Sequence, residues 1–295
     1  MSESDASTTP TTFRRRSRRG EIWRRMKRNR IAMVGLCIFS VILFVTVFAD
    51  LIVPYGTALK GNVKERLQPP SEAHWFGTDN YGRDIFARIV HASRRSLVMG
   101  VGAVVVGITF GGLLGAIAGY YGGMVDTAIM RVIDTIICIP FMLLVLAIVA
   151  ALGPGLVNVL IALMISMIPT YTRVIRSAIL TVVGQDYIEA AKSCGTPNRF
   201  IILKHVLPNA IGPIIVQATM TVGTMIIWAA STSFLGMGIQ PPEPEWGAML
   251  SESKDYMLTA PYMVLFPGFA IALTALSLNL MGDGLRDALD PRLKD

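Results

Sequence analysis

The chain has 295 residues, of which 53% are hydrophobic and only 16% charged, well below the roughly 25% charge of a soluble domain. Its mean hydropathy is +0.54, which excludes a soluble globular protein and places the chain in a membrane. The formal charge of +7 does not indicate nucleic acid, because ten of the 27 basic residues lie between Arg14 and Arg30, directly before the first apolar run. That is the positive-inside signature of a cytoplasmic N-terminus.

In chain order, residues 1–12 are rich in Ser and Thr and read as a disordered tail, within a basic cytoplasmic segment 1–30. The first span, 31–51, exceeds the apolar core of about 7–15 residues in a secretory signal peptide. It runs into Ala49-Asp50-Leu51 and reads as an uncleaved anchor; because a span follows them, the arginines do not read as a nuclear-localisation signal. Residues 52–96 form an extracytoplasmic loop carrying Lys60, Lys64, Arg66, Arg83, Arg88, Arg94 and Arg95, only partly balanced by Glu65, Glu72, Asp79 and Asp84. This outer excess of positive charge conflicts with the orientation, which rests on the first span and its flank because these usually dominate.

A five-span core, 97–281, follows, with spans predicted at 97–119, 129–152, 156–171, 210–230 and 262–281, against a need for about 20 apolar residues each. The turn at Gly153-Pro154-Gly155 divides the longest uncharged run. An all-α polytopic protein of about six spans results, with a cytoplasmic tail at 282–295. In the second span Gly107, Gly111, Gly115 and Gly119 leave one helical face bare, for close packing within the chain or against a second subunit. Near the start of the third span, Arg131 and Asp134 at i, i+3, with Asp126 a turn earlier, read as a self-neutralising pair. On the fifth, Gln217, Thr221, Thr224 and Trp228 form one polar stripe. It is a candidate translocation pathway, and interhelical hydrogen bonding explains it equally well.

Between the fourth and fifth spans lies the polar loop 172–209, cytoplasmic by crossing count. Asp186 is expected to cap a short helix with Glu189 at N3, a variant capping box. Gly195 supplies the left-handed terminus, Thr196 caps a second helix, and Pro197 sits at its first position. Pro208 is expected to end that helix near Leu207. Ala190 and Ala191 permit close approach of another protein; the plain alternative is an amphipathic loop lying on lipid headgroups.

The segment Glu189-Ala190-Ala191, then Gly195, then Leu207-Pro208, resembles the EAA loop of bacterial ABC importer permeases. His205 stands where that pattern often has isoleucine. Phe76-Gly77-Thr78-Asp79 with Gly82-Arg83-Asp84, Ser233-Phe234-Leu235-Gly236 with Gln240-Pro241-Pro242 and Trp246-Gly247-Ala248, and Gly282-Asp283-Gly284-Leu285-Arg286-Asp287 with Asp290-Pro291-Arg292 resemble segments of the C-subunit type of dipeptide and oligopeptide permeases. The resemblance implies a type I ABC importer permease fold in a prokaryotic inner membrane. It also implies a coupling role for Asp186, Glu189, Ala190, Ala191, Gly195, Arg199, His205, Leu207 and Pro208. Its implied partners are a second permease, two ATP-binding subunits carrying ATP and Mg, and an extracytoplasmic substrate-binding protein, with no cofactor in this chain.

No Gly-Lys pair occurs, so the chain has no P-loop of its own. His74, His91 and His205 are scattered, in no metal-binding spacing. Cys37, Cys138 and Cys194 give no disulfide framework, and no Gly-x-Ser-x-Gly elbow is present. The rival readings are a stand-alone secondary transporter or channel, and a membrane anchor that scaffolds soluble proteins. Within the resembled family, peptide, glutathione and nickel-chelate import share these motifs.

Overall fold

A computed structural model describes residues 18–289; the expected tail at 1–12 and Asp290-Pro291-Arg292 lie outside them. Among the described residues there is no strand, only an isolated bridge between Thr78 and Asp84. A bilayer supplies no hydrogen-bond partners, so spanning segments close their own backbone bonds as helices. The elements are α1 (Arg18–Arg28), α2 (Arg30–Val47), α3 (Ile85–Tyr121), α4 (Gly123–Ile137), α5 (Phe141–Leu152), α6 (Leu156–Val183), α7 (Asp186–Ser193), α8 (Asn198–Phe234), α9 (Trp246–Ser253) and α10 (Tyr262–Leu289). Five of these are long and apolar enough to cross a membrane, and the bent pair α4 and α5 brings the number to six if it is counted as one broken span.

Five to six candidate spans match the expected count of about six, but several boundaries move. Helix α3 begins at Ile85, twelve residues before the predicted start, because the Asp84 carboxylate accepts from the Ala87 N–H and caps it. The outer loop is correspondingly shorter than 52–96. The third span is two helices bent by 82°, since Pro140 lacks an N–H to continue the ladder. Helices α6, α8 and α10 outrun their predicted spans, and the 37 residues of α8 reach about 55 Å at 1.5 Å per residue, well beyond a hydrocarbon core of about 30 Å.

Helix α10 packs against α2 and α8, while α3 packs along α6 and crosses α8. One apolar core joins α3, α5, α6, α7 and α8, and a second joins α3, α8, α9 and α10. The glycine stripe makes the first possible. A Cβ on Gly111 would sit 2.5 Å from the Ile168 carbonyl oxygen, and one on Gly115 2.5 Å from that of Thr172. The stripe is therefore an intrachain contact with α6, which settles which of the two packing partners it serves.

Asn29 donates to Asp287 at 3.1 Å, joining the start of α2 to the end of α10. At the opposite end of α2, Arg94 Nη1 reaches Asp50 at 2.7 Å and Arg94 Nε reaches the Thr46 carbonyl at 2.9 Å. The start of α2, the end of α3, the α6–α8 connection and the end of α10 thus share one face of the bundle.

Gly115→Val should separate α3 from α6 and lower stability by roughly 1–3 kcal/mol. Gly212→Ala, where a Cβ meets open space, should leave it unchanged. Thermal unfolding of both variants in detergent reads the difference.

Candidate functional site

Helix α6 ends at Val183, and two residues later the Gln185 carbonyl accepts the Ile188 N–H at 2.9 Å. Helix α7 therefore starts at Asp186 itself, with Gln185 as N-cap and no capping side chain. The expected capping box does not form, because at the first helical position the Asp186 carboxylate is past the N-cap geometry that reaches those amides. Both Asp186 and Glu189 remain exposed in the first turn, where they favour the positive end of the helix dipole.

Gly195 closes α7 as expected. Its φ of +73° lies in the left-handed region that glycine enters without a Cβ clash. The Thr196 N–H then reaches back to the Ala191 carbonyl at 3.1 Å, the 6→1 bond of a Schellman terminus. Pro197, not Thr196, is the N-cap of the next helix.

That next helix does not stop at Leu207. Residues Ile201–Val206 form a π segment, and the Leu207 N–H bonds to the Ile202 carbonyl. A π turn shifts each bond by one residue and relieves the ladder at the place where Pro208 lacks an N–H. Leu207 keeps helical angles, φ −57° and ψ −45°, and α8 continues into the membrane. The second arm of the corner and the fifth span are one helix.

The corner is fastened from beneath. Ile188, Ile201 and Val206 are fully buried in the core that also holds Ile179 and Val182 of α6. Tyr120 at the end of α3 donates to Asn198 at 2.7 Å, and the Lys192 ammonium lies 5.4 Å from the Tyr120 ring. Asn209 donates to the Tyr187 hydroxyl at 3.3 Å, tying the two arms together. The outer surface carries Asp186, Tyr187, Glu189, Ala190, Gly195, Arg199, Phe200 and Leu203, all exposed, while Ala191, His205 and Leu207 are half-buried and Pro208 is exposed. Phe200 and Leu203 are 52% and 67% exposed: an apolar ridge with charged edges, held on a rigid base.

The polar stripe of α8 is not uniform. Gln217 donates to Thr221 at 3.1 Å, and Thr221 is buried. Thr224 is exposed and turns its hydroxyl back to the Met220 carbonyl, while the Trp228 ring lies 5.2 Å from Phe141 at the start of α5. The expected Arg131–Asp134 pair is also absent. Asp134 instead takes Arg173 at 2.6 Å and Asp126 takes Arg176 at 2.5 Å, because α6 brings guanidinium groups across the helix gap with better reach than an i, i+3 neighbour.

The opposite face carries a group that sequence reasoning did not assemble. Arg83 contacts Asp79 at 2.6 Å and Glu252 at 2.7 Å, while Arg88 contacts Glu252 at 3.0 Å and Asp79 at 3.7 Å. Arg88 is 1% exposed. Nearby, Glu245 caps α9 by accepting from Gly247 and Ala248 at 2.9 and 2.8 Å. Burial pushes its carboxyl above the ordinary glutamate value, against the pull of those two amides. Arg94 pairs with Asp50, and Arg95 with Glu243. Four of the five arginines that unbalanced the topology count, Arg83, Arg88, Arg94 and Arg95, are therefore matched, three of them by glutamates 148 to 169 residues away in sequence. Only the surplus of arginines itself signalled this.

The family comparisons agree with this geometry. Residues 111–295 match the model of the binding-protein-dependent transport system inner membrane component, and residues 17–70 that of the N-terminal transmembrane domain of oligopeptide transport permease C. The chain belongs to this permease family. It is 48% identical over 274 residues to the dipeptide transport system permease protein DppC of Alkalihalophilus pseudofirmus, covering 93% of this chain and 90% of that one. It is 46% identical to the glutathione transport system permease protein GsiD of Escherichia coli O157:H7, over 93% and 90%. Its fold is similar to a chain of the inward-facing MetNI methionine ABC transporter, with a TM-score of 0.58 and 19% identity over 70% of this chain and 98% of that chain. This permease is a multi-span membrane protein with a type I ABC importer fold.

Arg88→Met should be strongly destabilising, by roughly 3–5 kcal/mol, because it leaves Arg83 alone against the two carboxylates of Asp79 and Glu252, one negative charge uncompensated. Arg88→Met combined with Glu252→Met leaves the neutral Asp79–Arg83 pair and should recover most of that loss. Unfolding temperatures of the two variants in detergent test the pairing.

Proposed function

We propose that the chain is the membrane subunit of an ATP-driven importer of di- and oligopeptides. It would form the translocation pathway with a second homologous permease and take its substrate from an extracytoplasmic binding protein. The observation that carries this reading is the corner between α7 and α8: an exposed ridge, rigidly based, whose second arm is continuous with a span. ATP and Mg on two partner subunits supply the free energy. Asp186, Glu189, Ala190, Ala191, Gly195, Arg199, His205, Leu207 and Pro208 form the docking element.

The mechanics follow from the packing. A push on Phe200 and Leu203 cannot be absorbed in the loop, because Ile188, Ile201 and Val206 are fully buried beneath it. It passes along α8 toward Gln217, Thr221, Thr224 and Trp228, the pathway stripe. Packed interfaces move between discrete arrangements rather than deforming continuously, so such a lever suits a two-state switch between inward- and outward-facing cavities. Glutathione is itself a peptide, and the GsiD relatives favour it as a second substrate reading. The basic N-terminal segment supports cytoplasmic termini, in a prokaryotic plasma membrane.

Two measurements test the reading. Gly195→Val forces a β-branched residue into left-handed geometry, costing roughly 1–2 kcal/mol, and should uncouple ATP hydrolysis from peptide uptake, as should Glu189→Lys. Gly195→Asn, which tolerates that conformation, should retain coupling; undiminished uptake by the valine and lysine variants rejects the docking role. Cys194, exposed at the corner, should react with an impermeant maleimide only after cells are permeabilised. Labelling of intact spheroplasts would reverse the orientation.

A further inference from the structure

The break between α4 and α5 is the sharpest departure from regular helix among the apolar helices of this permease. It lies against Ser166 and Pro169 of α6, between the two apolar halves of the bent pair. The first amides of α5, at Phe141, Met142 and Leu143, have no intrahelical acceptor, and no side chain caps them. Carbonyls at the end of α4 are likewise beyond the reach of a continuing ladder. On the facing helix, Pro169 removes the donor for the Ile165 carbonyl.

Free main-chain groups cost several kcal/mol each in hydrocarbon, so an irregular segment within a span is tolerated where it lines a watery cavity or is covered by protein. A cavity of about 140 Å³ is present here, lined by Ile137, Pro140, Phe141, Ser166, Pro169 and Thr170. Ser166 is 4% exposed, and its hydroxyl has no partner. The site therefore contains a buried, unsatisfied polar group with no role in holding the fold. Phe141 also touches Trp228, the outer end of the α8 stripe, so the break adjoins the surface assigned to the pathway.

We propose that the α4–α5 break is a binding subsite for the main-chain amide of a translocating peptide. It rests on the peptide-import reading and names where that substrate is held. The chemistry selects this occupant. Helix ends meeting at 82° offer donors and acceptors together, and no charged side chain lines the cavity. A lone anion would meet carbonyls and a lone cation would meet amides, whereas a peptide bond presents one acceptor and one donor. Recognition of that kind ignores side chains, as main-chain pairing does in strand addition.

Cys138, exposed at the break, is a built-in reporter. The experiment uses the complete transport complex in nanodiscs, with Cys37→Ala and Cys194→Ala in this chain, and a charged methanethiosulfonate reagent. Cys138 should react, and saturating trialanine should suppress most of that reaction. A trialanine with N-methylated peptide bonds should not protect. Adding Ser166→Ala should raise the trialanine concentration needed for half-protection about fivefold, the factor equivalent to one net hydrogen bond, while the reaction rate without peptide stays unchanged.

An inert Cys138 would mean that lipid or the second permease covers the break, and would overturn the subsite. Equal protection by both peptides, or none by either while uptake of trialanine continues, would overturn it as well. Absence of trialanine uptake by the wild-type complex would instead overturn the peptide reading, and the subsite with it.

Discussion

Inside a bilayer there is no water to satisfy a polar group, and that constraint organises the whole molecule. It forces the spanning chain into helices whose main-chain bonds are closed internally. It also explains why helices that lack a hydrophobic drive toward one another meet through bare glycine faces, as α3 meets α6 along Gly107, Gly111, Gly115 and Gly119. Where charge does enter the packed interior, it comes as a matched set: Asp79 and Glu252 against Arg83 and Arg88. Breaking such a set is costly even where its formation contributes little net stability.

The same constraint gives two of the irregular places their meaning. In α8, the π segment Ile201–Val206 lets the helix pass Pro208 without ending, so the corner is rigidly continuous with a candidate span. In the third span Pro140 has no such relief, and the helix breaks by 82°. One proline is absorbed and the helix runs on. The other is left open, beside a recess lined in part by Ser166 and Thr170.

The opposite ends of α8 are held differently. At the corner, apolar side chains bury beneath an exposed ridge. Past Phe234, the chain returns through α9, whose Glu245 cap and Glu252 ion pairs fasten it to the start of α3. One end of α8 is therefore held by apolar packing and the other by buried charges, which are costly to separate.

Much of this was legible in the residue order. Span number follows from runs of uncharged residues, because transfer free energy is a local sum, and Gly195 announced its left-handed turn because backbone sterics are local too. The glycine stripe was readable as a bare face, but not which helix would fill it. Boundaries were less accessible: Asp84 capping α3 looks like any loop aspartate, and Arg83 to Arg95 read as surplus loop charge. Asp134 chose Arg173 over Arg131 because a facing helix placed it closer, and no spacing rule within one helix contains that information.

By itself, then, the sequence determined what depends on neighbours along the chain: a membrane protein of about six helical spans, a polar loop with a glycine corner, and the motifs of its family. Only the tertiary structure decided which charges meet, which face of the corner is left bare, and that Pro208 is bridged while Pro140 breaks its span. Those outcomes depend on distances between segments far apart in the chain, where the absence of water makes each unpaired group expensive enough for its partner to be chosen by the fold as a whole.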